Sequence, residues 1–174
     1  MTRAVLSLGS NLGDRLAHLR TAVAALEPDV RAISGVYETP PWGDGEQPPY
    51  LNAAVIVMDD AASAADWLAK ARAIEATAGR VRDPRRRFAA RTIDVDVIAV
   101  FEPDGSPVIS ADPNLTLPHP RAHLRAFVLR PWIDIEPHAR LPGHGWLTDL
   151  LREEPVADDV AGLIARPDLR IEST

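Results

Sequence analysis

The sequence of 174 residues contains no cysteine, and its only lysine is Lys70. Without cysteine the chain can form neither a disulfide nor a thiolate metal site, and a structural zinc site is disfavoured. No apolar run approaches the ~18 residues that cross a membrane. The net charge of −6 argues against general nucleic-acid binding. The 46 % of apolar residues predicts a globular protein. Together these features lead us to expect a cytoplasmic protein that contacts neither membrane nor nucleic acid.

The positive charge of the chain is concentrated in one segment. Residues 80–91 hold six arginines in twelve positions. Arginine is permanently charged, and its planar fork matches phosphate oxygens. Taken alone, such a run is most simply a solvated loop, but its concentration in one place favours a small anionic ligand.

A pair of acids follows this arginine segment directly. The stretch 93–101 is rich in Val and Ile and contains neither Gly nor Pro, which predicts a β-strand. Side chains alternate along a strand, so Asp94 and Asp96 share a face, with Cα atoms about 6–7 Å apart. Two such carboxylates repel each other unless a cation accompanies them, and oxygen ligands favour Mg²⁺. The arginines and acids together predict a site for a metal-bound polyphosphate.

The remaining periodicity predicts an α+β fold. We expect strands at 4–8, 30–37 and 51–58, with turn residues from Gly9 onward, and helices after Asp14 and after the capping box of Ser63 and Asp66. The order strand, helix, strand, strand, helix, strand is the βαββαβ pattern of the ferredoxin-like fold. Both helices would cover one sheet face, and long loops and the C-terminal extension would cover the other. We expect a single domain over 1–174, with a core at about 3–140 and an extension at 141–174.

Several polar and aromatic residues stand where a ligand could reach them. The segment 38–50 has four prolines and two glycines and carries Trp42 and Tyr50, which predicts a binding loop, although both rings could instead pin the loop to the core. Asn52 heads the next strand and offers donors and acceptors suited to a heterocycle. Glu75 lies in the last turn of its helix, where the dipole disfavours an acid, so we expect it to have a partner beyond that helix.

Eight segments of the chain, taken in order, match the motifs of one known family: Leu-Gly-Ser-Asn-Leu-Gly-Asp (8–14), Tyr-Glu-Thr-Pro-Pro-Trp-Gly (37–43), Gln-Pro-Pro-Tyr-Leu-Asn-Ala-Ala-Val (47–55), Ile-Glu (74–75), Gly-Arg-Val-Arg (79–82), Arg-Thr-Ile-Asp-Val-Asp-Val-Ile (91–98), Leu-Pro-His-Pro (117–120) and Arg-Ala-Phe-Val-Leu-Arg-Pro (125–131). With them the chain resembles the 6-hydroxymethyl-7,8-dihydropterin pyrophosphokinase family. The resemblance implies an enzyme that transfers pyrophosphate from ATP to the pterin hydroxymethyl group and releases AMP, in folate biosynthesis. It also implies two Mg²⁺ ions, and we expect a monomer whose partners are its two small-molecule substrates.

The resemblance assigns roles to matching positions. It makes four residues catalytic, of which the two acids hold the metal: Arg80, Arg91, Asp94 and Asp96. The nucleotide would be bound by Glu75, Arg80, Arg82, Phe88, Arg91, Thr116, His119 and Arg125. The pterin would be bound by Thr39, Pro40, Trp42, Gly43, Tyr50, Asn52 and Phe127, with the rings of Tyr50 and Phe127 on its two sides.

The chain departs from the family pattern within the arginine segment. That segment is one residue longer, and Phe88 stands where the family usually has Trp. Which of Arg85, Arg86 and Arg87 contacts phosphate is therefore open. Pro120 follows His119 where an aromatic residue is common, which leaves the adenine contacts open as well.

Two other functions fit parts of the pattern. A metal-dependent phosphodiesterase or nuclease could use Asp94 and Asp96 to activate water, but further acids near them and a basic surface are missing. A non-catalytic nucleotide-binding module of ferredoxin-like fold would have no need of the aromatic, proline-stiffened loop.

Overall fold

The computed structural model describes residues 1–39, 48–79 and 92–171. The first part of the chain contains β1 (Thr2–Ser10), α1 (Arg15–Leu26), β2 (Val30–Ile33), β3 (Tyr37–Thr39), β4 (Tyr50–Asp59), α2 (Ala64–Thr77) and β5 (Asp94–Phe101). The second part contains β6 (Ser110–Asp112), β7 (Leu115–Leu117), α3 (Ala126–Ile135), β8 (Arg140–Leu141), β9 (Gly145–Trp146), α4 (Leu147–Leu150), α5 (Val156–Ala161) and β10 (Ile164–Ala165).

One antiparallel sheet organises these elements. Its strands follow the order β10-β3-β4-β1-β5, and β2 also pairs with β4. The predicted α+β class is therefore confirmed. The helices found in the described ranges are all too short or too polar to cross a membrane.

Each face of the sheet packs against helices. One face carries Leu6, Leu8 and Val55, which are buried with Leu19 of α1 and Trp67 of α2. The alternation of side chains along a strand explains this division, because neighbouring residues on β1 and β4 point to opposite faces.

The second face is covered by α3, which the sequence analysis missed. Val5 and Ile98 are buried there together with Leu129 and Trp132 of α3. We expected loops and the C-terminal extension on this face, and that expectation was wrong for the centre of the face. Pro131 lies inside α3 and obscured the helical pattern, since proline removes an internal hydrogen bond. The extension does contribute, because Leu147, Leu150 and Val156 join the same buried cluster.

The predicted signals for the starts of α1 and α2 are confirmed. Asp14 caps α1, its carboxylate accepting from the N–H of Ala17 at 3.1 Å. Ser63 and Asp66 form the predicted capping box of α2. Gly79 follows α2 with φ +78°, a conformation that glycine adopts without strain.

Two strand boundaries differ from the expectation. The predicted single strand 30–37 is wrong: β2 and β3 pair with β4 separately, and residues 34–36 lie between them. In this break the N–H of Ser34 donates to the carbonyl of Ala54, and its hydroxyl accepts from the N–H of Ala54. β1 also extends through Gly9 and Ser10, which we had expected in a turn.

The alternation predicted for β5 is confirmed. Val95 and Val97 are buried, whereas Asp94 and Asp96 are half-buried on the other face. The N–H of Val95 donates to the carboxylate of Glu75 at 3.0 Å, so the expected partner of Glu75 is the backbone of β5. Glu75 is only 3 % exposed. The end of α2 therefore fixes the strand segment that carries both acids.

Replacing Glu75 tests this anchor. The change Glu75→Ala leaves the buried N–H of Val95 without its acceptor, so we expect the free energy of unfolding to fall by about 1–3 kcal/mol. The change Glu75→Gln keeps a carbonyl oxygen in place and should cost clearly less. Urea unfolding followed by circular dichroism measures both variants. Equal losses would contradict the assignment of the hydrogen bond as the stabilising contact.

Candidate active site

The candidate site lies at one end of the sheet, on the face that packs against α3. Gly9 of β1 is paired with Asn52 of β4 on one side and with Asp94 of β5 on the other. Ser7 is likewise paired with Asp96. Paired residues share a sheet face, and strands lie about 4.8 Å apart, so the backbones of Asn52 and Asp94 are about 10 Å apart. An amide and two carboxylates thus face the same surface.

Gly9 keeps the space between these groups open. A Cβ atom at this position would lie 3.0 Å from Oδ1 of Asn52 and 3.4 Å from Cδ1 of Tyr50. The first distance is shorter than ordinary van der Waals contact, so a side chain here would displace the amide. This close approach, and not the backbone conformation, favours glycine here.

A buried polar pair forms the amide end of the site. Nδ2 of Asn52 donates to Oγ1 of Thr39 at 2.7 Å, and both residues are 3 % exposed. Burial without such a bond would be costly for an amide. Tyr50 lies two residues before Asn52 on β4 and shares its face. The predicted pterin-binding residues Thr39, Tyr50 and Asn52 are therefore brought together.

A cation lies at the acidic end of the site, and an aromatic ring lies beside this cation. Nη1 of Arg125 is 3.7 Å from Oδ2 of Asp96, and Arg125 is 8 % exposed. Its guanidinium carbon is 5.6 Å from the ring centroid of Phe127. Arg125 immediately precedes α3 and Phe127 is in its first turn. The start of α3 thus places Arg125 beside Asp96, with the ring of Phe127 next to Arg125.

His119 and Thr116 lie on the segment that follows β5. The N–H of His119 donates to the carbonyl of Ile98 at 2.8 Å, and its Nδ1 accepts from the N–H of Arg121 at 3.1 Å. The second bond places the proton of the neutral ring on Nε2, which is then a donor. The hydroxyl of Thr116 donates to the carbonyl of Asp112 at 3.0 Å.

The structure thus describes ten of the predicted site residues. One of them, Glu75, lies on α2 and contacts the backbone of β5. That Glu75 binds the nucleotide stays a prediction. The remaining predicted residues lie outside the described ranges: Pro40, Trp42, Gly43, Arg80, Arg82, Phe88 and Arg91. So do the three arginines among which the phosphate contact was left open: Arg85, Arg86 and Arg87.

Sequence reasoning overlooked the residues that support the amide end. Nδ2 of Asn11 donates to the carbonyl of Pro48 at 3.1 Å, and Nη1 of Arg15 donates to that of Pro49 at 3.0 Å. The run Gly-Ser-Asn-Leu-Gly (9–13) was the available signal, since it contains Asn11. The position of Gly9 between Asn52 and Asp94 could not be inferred without the strand register.

The acid pair is the candidate metal-binding group on this face. Within the described ranges no cluster of three or more His, Cys, Asp or Glu side chains could hold an ion. Asp94 and Asp96 supply two carboxylates and only oxygen donors. This set fits Mg²⁺, which is commonly bound by one or two carboxylates together with substrate phosphates.

Comparison with known proteins identifies similar chains. Residues 5–137 match the family model described as 7,8-dihydro-6-hydroxymethylpterin-pyrophosphokinase (HPPK). A protein of Mycobacterium tuberculosis (strain ATCC 25618 / H37Rv), named 2-amino-4-hydroxy-6-hydroxymethyldihydropteridine pyrophosphokinase, is 44 % identical over 99 % of this chain and 95 % of its own. A protein of the same name from Mycobacterium leprae (strain TN) is 52 % identical over 81 % of this chain and 75 % of its own.

Solved structures show the same fold. Plasmodium falciparum HPPK-DHPS, with pterin and p-hydroxybenzoate, superposes with a TM-score of 0.63 at 13 % identity and matches 94 % of this chain. A further HPPK-DHPS structure, in complex with substrates, gives a TM-score of 0.62 at 12 % identity. This chain spans 46 % of each of those longer chains. At these identities the likeness concerns the fold alone.

The change Gly9→Ala tests the crowding between Gly9 and Asn52. The added methyl group must push against Oδ1 of Asn52, so we expect the free energy of unfolding to fall by about 1–3 kcal/mol. In an Asn52→Ala background the main obstacle is absent, and the cost should fall by at least half. Urea unfolding of the four proteins of this cycle gives the coupling energy. Equal costs in both backgrounds would place the clash elsewhere.

Proposed function

Because the chain belongs to the 7,8-dihydro-6-hydroxymethylpterin-pyrophosphokinase family, we propose that it transfers pyrophosphate from ATP to 6-hydroxymethyl-7,8-dihydropterin. AMP is the second product, and the reaction belongs to folate biosynthesis. The observation that carries the proposal is the surface with Asn52 at one end and Asp94 and Asp96 at the other. A substrate that joins a heterocycle to a phosphate-accepting hydroxyl requires these two kinds of group on one surface.

The amide end suits the pterin. A pterin is flat and carries hydrogen-bond donors and acceptors along its edge. The side-chain amide of Asn can donate and accept, so it is suited to bind that edge. Asn52 is fixed by its bond to Thr39, which limits how the amide can turn. Tyr50 and Phe127 would pack on the two faces of the ring. Contributions from Pro40, Trp42 and Gly43 stay predictions from the sequence.

The acidic end suits the polyphosphate. Asp94 and Asp96 would hold two Mg²⁺ ions, which when bound neutralise phosphate charge. Arg125 adds a buried cation beside Asp96, and the Nε2–H of His119 can donate to a phosphate oxygen. Further nucleotide contacts stay predictions from the sequence: Glu75, Arg80, Arg82, Phe88, Arg91 and Thr116.

The reaction displaces AMP at the β-phosphorus of ATP. The hydroxymethyl oxygen forms a bond to that phosphorus, the bond to the α–β bridging oxygen breaks, and the hydroxyl proton is released. Phosphoryl transfer of this kind depends on in-line positioning and charge stabilisation more than on covalent catalysis. The buried contacts of Asn52 would orient the acceptor, and Arg125 would contribute positive charge.

We also infer a ferredoxin-like core within a single domain over 1–174. The strand order β3-β4-β1-β5 and the positions of α1 and α2 support this arrangement. The pairing of β10 with β3 supports treating the C-terminal extension as part of the same domain. The monomeric state and the cytoplasmic compartment stay predictions.

Product analysis tests the function directly. The protein is mixed with ATP, Mg²⁺ and 6-hydroxymethyl-7,8-dihydropterin, and the products are resolved by phosphorus NMR. We expect equal amounts of AMP and a pterin diphosphate, and neither product when pterin or metal is omitted. AMP and free pyrophosphate without pterin would instead indicate a hydrolase, and ATP binding without turnover would indicate a binding module.

The change Asp96→Ala tests the phosphate end. Removing one of the two carboxylates takes away a ligand of the Mg²⁺ that would neutralise the phosphates. We therefore expect kcat to fall by at least ~10²-fold. Calorimetry should show a matching loss of Mg²⁺-dependent ATP binding. The exposed Asp60, near the far end of β4, gives a matched control as Asp60→Ala. Near-normal turnover of Asp96→Ala would refute the assignment of Asp96.

A further inference from the structure

The C-terminal segment, residues 164–171, forms the outer edge of the main sheet beside β3. Ile164 pairs with Glu38 and Ala165 with Tyr37, and the N–H of Arg166 donates to the carbonyl of Val36 at 2.8 Å. β3 has only three residues. A strand this short gains much of its order from its neighbours. The C-terminal segment therefore stabilises the strand that ends in Thr39.

An ion-pair network connects this segment to β3. Oε2 of Glu38 is 3.3 Å from Nη1 of Arg166 and 2.7 Å from Nη1 of Arg15. Arg166 is held in turn by Asp168, which accepts from its Nε at 3.1 Å and its Nη2 at 2.9 Å. The three linked side chains Arg15, Glu38 and Arg166 are only 22–29 % exposed. Because two hydrogen bonds to Asp168 already fix the guanidinium of Arg166, this side chain loses little entropy when it also binds Glu38.

The same network also reaches the residue that precedes β4. Arg15 binds Glu38 and also donates to the carbonyl of Pro49, the residue before Tyr50. Its contacts thus end at the residues next to Thr39 and Tyr50. These two belong to the amide end of the site.

The ring of Tyr37 ties β3 to α3 on the sheet face of the site. Its hydroxyl donates to Oδ2 of Asp134 at 2.6 Å. Burial, together with this bond to a carboxylate, raises the pKa of Tyr37 to about 12. Tyr37 is therefore neutral at physiological pH and keeps its donor role. The position of β3 is then determined by α3 through Tyr37 and by the C-terminal segment through Glu38.

We propose that Arg166, acting through Glu38, is a positioning residue for the pterin. It would hold β3 in the register at which Thr39 accepts the hydrogen bond from Asn52. The inference rests on the proposed function, since it assumes that the amide end binds the pterin. The acids on β5 are separated from β3 by β4 and β1, so ATP binding should be insensitive to this contact.

The size of the effect follows from the partial exposure of the pair. Partly exposed ion pairs contribute little to stability, whereas small displacements of a positioned group can cost more in binding. We expect Arg166→Ala to raise the KM for the pterin about 3- to 10-fold. The KM for ATP and kcat should stay within about 2-fold.

Steady-state kinetics of the full chain test the proposal, with AMP formation as the readout. The exposed Arg152 lies in the same extension, and Arg152→Ala serves as the matched control that should behave as wild type. Arg166→Lys keeps the charge and should recover part of the pterin KM. Glu38→Gln should raise the same KM, and adding Arg166→Ala to it should have little further effect.

The outcomes separate this inference from the function on which it rests. If the wild type forms no AMP in the presence of pterin, the proposed function fails. If the wild type is active but Arg166→Ala leaves the pterin KM unchanged, or raises both KM values equally, the positioning role alone is refuted. An additive effect of Arg166→Ala and Glu38→Gln would refute the route through Glu38. Circular dichroism confirms that each variant is folded, and Arg166→Lys replaces Arg166→Ala if the latter is not.

Discussion

The register of β1 between β4 and β5 is the constraint on which the candidate site depends. Gly9 is opposite Asn52 on one neighbour and opposite Asp94 on the other. A slip of one residue in either pairing would turn one of these side chains to the face of α1 and α2. Buried Leu6 and Leu8 oppose such a slip, because they would leave the core. The hydrophobic pattern of β1 thereby fixes the distance between amide and carboxylate.

The packing of the second face brings the remaining groups to the site. Leu129 and Trp132 of α3 are buried against Val5 and Ile98 of the sheet, which sets the position of the helix. The start of α3 then lies beside the acids, with Arg125 3.7 Å from Asp96. Apolar contacts along the helix thus determine where a cation and a ring stand at its beginning.

The sequence predicted those features that depend on neighbours along the chain. The shared face of Asp94 and Asp96, the caps at Asp14 and Ser63, and the partner required by Glu75 follow from periodicity and helix electrostatics. Features that depend on distant pairing were missed. The break between β2 and β3 and the addition of β10 arise from contacts across the sheet, and Glu38 meets Arg166 across 128 residues. The helix α3 was hidden by its internal Pro131.

Near the site, the outer sides of β5 and β3 each make a contact that also supports the site. An open strand edge offers unpaired backbone groups and invites aggregation. At β5 the carboxylate of Glu75 accepts the N–H of Val95, the residue between the two acids. The outer side of β3 is paired with β10, next to the pair of Glu38 and Arg166, and β10 is itself the edge strand. Because each contact lies within two residues of a proposed ligand-binding side chain, the contacts that satisfy the outer backbone groups of β5 and β3 also position the site.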